Sequence, residues 1–477
     1  MILLNKNRFF ISYANFIRGG NRSMNHKKHE NLLFTEGPIL TPLLRFALPV
    51  LFALLLQAMY GGTDLLIVGQ FASAADVSAV STGSQVMQSV TSVITGLAMG
   101  TTILLGQKIG QKQEQEAGDV IGSSICMFAV IAVVATFAMV GGAKSLAHIM
   151  HAPAEAFDKT ALYICICSAG SLFIIAYNVL GSIFRGIGDS KTPLLAVFIA
   201  CIFNIFGDLF FVAVLHMASA GAALATVLAQ GISVILSLLI IRKKELPFAF
   251  SRSNLRFHKK LTRKALSLGF PIALQDFLVS ISFLVIIAII NGLGVIASAG
   301  VGVAEKLCTF ILMMPSAFSQ SMSAFVAQNY GAGKMNRAKR GMVYGMMVSF
   351  GFGLILSYIS FFHGTILTGI FAKDQDIILA AADYLRAYAI DTLLVSFLFC
   401  FTGYFNGCGQ TAFVMLQGII GAFCVRIPVS YLMSRQPGAS LFQVGLAIPL
   451  STVLQITICL IYFACTEKKR GKYSHKS

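Results

Sequence analysis

The chain reads as an all-α integral membrane protein, with twelve transmembrane helices in two parallel six-helix repeats (6+6 lobes) around a central cleft. Three observations predict this. Of its 477 residues 56% are hydrophobic and only 12% charged, with a mean hydropathy of +0.79, whereas soluble domains carry about 25% charged residues. Apolar runs near the ~20 residues that span a bilayer recur along its length. Short motifs return in the second half at a nearly constant spacing, the mark of an internal repeat. A strand-built barrel is excluded, because its segments are ~10 residues long and alternate in polarity.

The runs place spans at 41–68, 80–105, 120–140, 160–180, 193–214 and 221–241, then at 265–290, 297–326, 342–362, 378–402, 412–432 and 442–465. Basic residues cluster in every second connection. Lys108 and Lys112 follow the second span, Arg185 and Lys191 the fourth, and Lys334, Arg337, Lys339 and Arg340 the eighth. The chain accordingly divides into a cytoplasmic tail (1–40), an N-lobe of helices 1–6 (41–241), a basic cytoplasmic linker (242–264), a C-lobe of helices 7–12 (265–465) and a basic cytoplasmic tail (466–477). By the positive-inside rule both termini are cytoplasmic. Residues 1–23 read as a start-site extension before Met24. The net charge of +17 is explained by this topology and by the anionic headgroups of membrane lipids rather than by nucleic acid.

The ten cysteines lie almost entirely in apolar runs without metal-ligand spacing, and no histidine falls in the middle of a span. Haem ligation, a structural metal and a histidine proton relay are thereby disfavoured. No nucleophile–base constellation marks an enzyme.

The repeat is carried by three pairs. Leu48-Pro49 opens helix 1 as Phe270-Pro271 opens helix 7; GQKIGQK from Gly106 matches AQNYGAGK from Ala327; FRGIG from Phe184 matches FNGCG from Phe405. All share an offset of 221 or 222 residues. This joins helices of the same direction, so the halves are parallel repeats about an axis along the membrane normal. Pro49 and Pro271 should kink their helices, and Gly61 and Gly62 should loosen helix 1; these four are the expected hinges.

A carboxylate in hydrocarbon costs roughly 2.5–3.5 kcal/mol on insertion scales, so intramembrane acids mark function. Asp64 lies on helix 1; Asn204 and Asp208 are one turn apart on helix 5, and Thr226 enters helix 6 at similar depth. Two carboxylates in a desolvated pocket cannot both stay ionised without a counter-ion. This set is the candidate cation-coupling site, and its oxygens would be the metal ligands if the ion is Na⁺. Gln57, two turns before Asp64, and Tyr177 and Asn178 on helix 4 are candidate substrate contacts. So are Asp276, Glu305 and Asp391 in the C-lobe, acids that either line the cleft or pair internally, Asp391 with Arg426. Position 286, the counterpart of Asp64, is isoleucine.

These features together resemble the multidrug and toxic compound extrusion (MATE) family, in its DinF/MepA-like bacterial branch. The resemblance covers nearly all of 41–465 and rests on the parallel repeat, the Pro49-to-Asp64 spacing, the GQKIG and AQNYG connections, and Asn204-x-x-x-Asp208 followed by Thr226. It implies a secondary multidrug antiporter, without cofactor, working as a monomer. Such a protein exports small organic cations or amphipathic drugs in exchange for H⁺ or Na⁺ by alternating access. Asp64 would be the central coupling acid, with Asn204, Asp208 and Thr226 as its network, and Gln57 a substrate-facing position. Asp276 and Asp391 stand about a turn from the acids of the C-lobe Na⁺ site of NorM-like members. The alternative is a flippase for lipid-linked oligosaccharide or lipid in the same superfamily, which would need a basic cavity for pyrophosphate.

Overall fold

The computed structural model describes residues 34–243 and 252–474. The Met24 start, most of the N-terminal tail, 244–251 of the basic linker and 475–477 lie outside the described residues. A helix or a pair of helical segments stands at each of the twelve expected spans, most of them running beyond the bounds read from hydropathy. They are α1 Leu40–Phe71, α2 Ala74–Gly110, α3 Glu114–Ile149, and α4, split into Phe157–Ala169 and Ser171–Ile187. Next come α5 Lys191–Asp208, α6 Ala218–Lys243, α7 Lys259–Asn291, α8 Val295–Gly331 and α9 Met335–Phe362. The last are α10 Gln375–Gly407, α11, which opens as Thr411–Ile419 and closes as Ile427–Ser434, and α12 Ala447–Ser474. Among the described residues eleven helices are long and apolar enough to cross a membrane, or twelve when the two parts of α4, bent by 53°, count as one span.

Lipid-facing and core-facing surfaces follow helical spacing. Val130, Val133, Val134 and Phe137 form an exposed apolar stripe on α3, and a stripe of that kind is solvated by hydrocarbon. Consecutive helices alternate in direction, so the chain entry at Phe34, the end of α6, the start of α7 and the C-terminal end of α12 share one end of the bundle, called basal here; the opposite end is distal.

The lobes meet through α2 and α7. A Cβ added at Gly96 would lie 2.7 Å from Ala273 Cα, and one at Gly100 would lie 2.6 Å from Gly269 N. Small residues here let two backbones touch, which is how membrane helices associate without a hydrophobic driving force. Toward the basal end the seam continues: a Cβ at Gly106 would lie 3.0 Å from Ala327 Cβ, and one at Gly331 3.0 Å from Gln107 Cα. Toward the distal end it stops. Gln85, Gln88 and Ser89 on α2 and Asp276 and Ser280 on α7 are exposed. Polar groups at such depth are stable only against water, so they line a cleft that opens distally.

Helices α1 and α7 cross between the lobes. Leu43, Phe46, Ala47 and Val50 at the basal end of α1 pack among α8, α9, α10 and α12, while Ile67 and Val68 at its distal end pack within the first six helices. In the repeat, Ala265, Leu268 and Ile272 of α7 pack against α2, α3 and α4, and Ile286 and Ile290 return to α8 and α10. Pro49 and Pro271 stand where each helix changes partners, inside helices that remain continuous. The break that sequence did not place falls at Gly170 in α4, where a Cβ would lie 2.5 Å from Val227 Cγ2 of α6.

The glycine seam predicts a contrast. Gly100→Val should cost about 1–3 kcal/mol by overpacking and lower the thermal midpoint of the detergent-solubilised protein. Gly61→Ala, which meets nothing within 4 Å, should leave it within about 0.5 kcal/mol. Equal midpoints for the two variants would refute the seam.

Candidate functional site

Three helices of the first repeat bring Asp64, Asn204, Asp208 and Thr226 together, as the sequence predicts. Asp64 is 4% exposed and Asn204 and Asp208 are fully buried. The Thr226 hydroxyl donates to Asp64 Oδ2 at 3.3 Å, and Asp208 and Asn204 adjoin the Asp64 carboxyl. Helical spacing explains the convergence. Asn204 and Asp208, four residues apart, share one face of α5, turned toward α1 and α6.

Two further polar groups belong to this pocket and were not singled out from sequence. Tyr60, one turn before Asp64, adjoins Asp64, Thr226 and Gln230. An aromatic or a glutamine within an apolar run carries little signal by itself; the i, i+4 spacing of Tyr60 with Asp64 and of Thr226 with Gln230 was the available clue.

The pocket is short of partners. Asp64 Oδ1, both Asp208 oxygens, both Asn204 side-chain polar atoms, Tyr60 Oη and Gln230 Oε1 are buried with no hydrogen-bond partner. Buried polar atoms are nearly always paired, and a cluster of unpaired ones calls for an ion, a proton or water. None of the ion pairs among the described residues involves Asp64 or Asp208. Carboxylate, amide and hydroxyl oxygens are hard donors, suited to H⁺ or to an alkali cation rather than to a soft metal. No group of three or more His, Cys, Asp or Glu able to hold a metal ion occurs among the described residues.

The other buried acids of this repeat are paired. Asp76 accepts from Lys159 Nζ at 2.6 Å, Ser73 Oγ at 2.5 Å and Ser219 Oγ at 3.0 Å, which ties α2, α4 and α6 at the distal end. Asp189 accepts from the Lys191 and Thr192 amides at 3.0 and 3.2 Å and caps α5. Immediately after Asp208 the helix widens into a π-helical turn, Leu209–Val214, a local distortion frequent at functional sites. Helix α11 has the corresponding feature, Ile420–Arg426.

The candidate substrate contacts separate into two groups. Gln57 is exposed and donates to Tyr177 Oη at 3.0 Å; Asn178 is buried and accepts from Thr95 Oγ1 at 3.0 Å, so it ties α4 to α2. In the second repeat, Asp276 is exposed and Glu305 half-buried, while Asp391 is 3% exposed. The suggested pairing of Asp391 with Arg426 is not a direct ion pair. Arg426 donates to Ser282 Oγ at 3.2 Å and stacks over Phe283 with Cζ 4.5 Å from the ring centroid, with Asp391 in its electrostatic surroundings.

With this geometry in hand, similarity to known proteins is informative. The MatE family model matches the chain twice, over 49–210 and 271–432, more than half of its length and in register with the repeat. The chain is 25% identical over 431 residues to a probable multidrug resistance protein, YpnP, of Bacillus subtilis, covering 90% of this chain and 96% of that one. It is 22% identical to the multidrug export protein MepA of Staphylococcus saprophyticus, covering 86% and 90%. A crystal structure of MATE in complex with MaL6 superposes with a TM-score of 0.87 at 18% identity, covering 93% of this chain and 99% of that one.

Paired and unpaired acids should respond differently. Asp76→Asn should lower thermal stability by about 1–3 kcal/mol through its lost charged hydrogen bonds and leave the ion dependence of the protein unchanged. Thr226→Val should leave stability nearly unchanged but shift the H⁺ or Na⁺ concentration at which the ion half-maximally protects the protein against unfolding, and Thr226→Ser should restore it. Thermal unfolding and cation titration of both variants check this; an Asp76→Asn protein with altered ion dependence would contradict the division.

Proposed function

Since the chain belongs to the MATE (MatE) family of multidrug efflux transporters, we propose that it is a secondary antiporter, exporting organic cations or amphipathic drugs in exchange for H⁺ or Na⁺. The observation that carries this reading is the pair Asp64–Asp208. These two buried carboxylates share a pocket with three unpartnered oxygens and no cationic side chain. Unlike Asp76, whose charge Lys159 neutralises permanently, this pair is neutralised only by an exchangeable ion. Such a pocket must bind its ion whenever the surroundings are dry and can release it when water enters, which is the requirement for coupling.

The cleft supplies the second half of the cycle. Asp276 and Glu305 on its C-lobe wall favour a cationic substrate, and Gln57 with Tyr177 provides hydrogen bonding on the opposite wall. By the positive-inside orientation the basal end is cytoplasmic and the distal opening faces outward. In this state the ion enters at Asp64 and Asp208, α1 bends near Gly61 and Gly62, and substrate leaves the shrinking cavity. The lobes then rock, and the ion departs on the cytoplasmic side. The protein acts in a bacterial inner membrane as a monomer. A flippase for pyrophosphate-linked lipids is less well supported, because a basic cleft is what it would need and acids stand here.

Ethidium efflux from vesicles, with ΔpH and a Na⁺ gradient imposed separately, tests the proposal. The wild type should export under one gradient, and Asp64→Asn and Asp208→Asn should each lose gradient-driven export by at least about 10-fold, a barrier change of roughly 1.4 kcal/mol. An Asp64→Asn protein that still exports under the imposed gradient would overturn the assignment. Absence of export by folded wild type under both gradients would favour the flippase reading.

A further inference from the structure

The repeated connections do more than mark an internal duplication. Gln107 of GQKIG, in the first repeat, donates to the carbonyl of Gly407 in FNGCG at 3.1 Å. Gln328 of AQNYG, in the second, donates to the carbonyl of Gly186 in FRGIG at 3.1 Å. Gln107 and Gln328 are repeat equivalents, as are Gly186 and Gly407. Each lobe therefore extends one buried glutamine into the other, related by the pseudo-two-fold axis.

The acceptors are the last-turn carbonyls of α4 and α10, which no intrahelical donor can reach. Each helix then turns away through a left-handed glycine, Gly188 at φ 95° and Gly409 at φ 79°. The first glycine of each motif is needed for close packing: a Cβ at Gly407 would lie 2.6 Å from Val326 Cβ, and one at Gly186 3.0 Å from Leu105 Cδ2. The bond to the opposite lobe satisfies a carbonyl that is otherwise an orphan in a dry interface. When the interface opens to water, water replaces the glutamine at little cost, which suits a contact made and broken in each cycle.

The symmetry is broken at one point. Gln328 Oε1 also accepts from the Phe34 amide at 3.0 Å. The segment leading into α1 is held at this spot by Arg337, which donates to the carbonyls of Phe34, Glu36, Gly37 and Pro38, and by Asn329, which donates to Phe34 O at 3.3 Å. The entry to helix α1, which carries Asp64, is thus tied to the glutamine of the opposite lobe.

We propose that Gln107 and Gln328 form a symmetric basal latch, positioning residues that hold the basal end shut while the cleft is open distally, with the Phe34 segment linking α1 to that latch. The inference rests on the rocking cycle proposed above. Neither glutamine contacts the coupling pocket, so the two ideas fail separately.

Hydrogen–deuterium exchange of the protein in lipid nanodiscs reads the latch directly. Gln107→Met and Gln328→Met keep the volume and remove the donor. Each should raise exchange at the basal ends of α2 and α8 by about 5-fold, and the double variant by about 25-fold, as expected for one ordinary hydrogen bond each. Distal peptides should not change. Peptides spanning 34–39 should exchange faster only in variants lacking Gln328. Unchanged basal exchange in the double variant would overturn the proposal, as would equal acceleration at both ends of the bundle.

A second arm leaves the glutamines intact. Oxidising a Gly106→Cys/Ala327→Cys pair, whose β-carbons would stand side by side, should staple the basal end and stop ethidium efflux, with recovery on reduction and no response to oxidant or reductant in either single variant. Efflux that continues through the staple would refute a basal opening. The exchange arm also reports on a protein that exports nothing under either gradient, so loss of the export reading and loss of the latch are distinct results.

Discussion

Two membrane helices approach backbone to backbone where Gly100 of α2 meets Gly269 of α7, and the shape of the whole molecule depends on that approach. Hydrocarbon offers no hydrophobic reason for one helix to prefer another over lipid, so association rests on close packing and on buried hydrogen bonds. Small residues supply the close packing from Gly96 to the basal end of α2, and Gln107 and Gln328 supply hydrogen bonds there. Beyond Gly96 the facing surfaces of α2 and α7 carry amides, hydroxyls and Asp276 instead. Those groups need water, and the lobes part. The cleft is the region where the two helices cannot be dry together.

The crossing of α1 and α7 follows from the same seam. Each begins in the opposite lobe and ends in its own, so neither lobe can rotate without dragging the basal half of one of its own helices across its partner. Pro49 and Pro271 sit at the crossover. A proline lacks the amide that would bond one turn back, so a change of helix direction at that residue breaks no backbone hydrogen bond.

Chemistry is distributed unevenly over a symmetric frame. The first repeat keeps Asp64 and Asp208 without counter-ions, while Asp76 and Asp189 are fully engaged with partners. The second repeat replaces the Asp64 position by Ile286, which packs in a hydrophobic cluster, and puts a guanidinium, Arg426, at the end of its π-helical turn. A lobe with its own fixed cation has less need of an exchangeable one. Two lobes with the same architecture therefore differ in charge: one holds buried acids without an ion-pair partner, and the other holds a buried guanidinium.

Sequence by itself determined the class, the number and order of helices, the duplication and which intramembrane acids of the first repeat come together. Each of these is a statement about which residues tolerate hydrocarbon, and hydropathy, spacing and rare intramembrane charge report that directly. It also paired GQKIG with AQNYG and FRGIG with FNGCG, without saying that each motif of one lobe bonds the other motif of the opposite lobe. Tertiary structure alone decided that Asp76 is satisfied and Asp64 is not, that Tyr60 and Gln230 join the pocket, that Arg426 stacks on Phe283 instead of pairing with Asp391, and that α4 breaks at Gly170. The reason is the same in every case: a polar side chain in an apolar run announces that it needs a partner, but which partner it finds depends on the packing of helices distant in sequence.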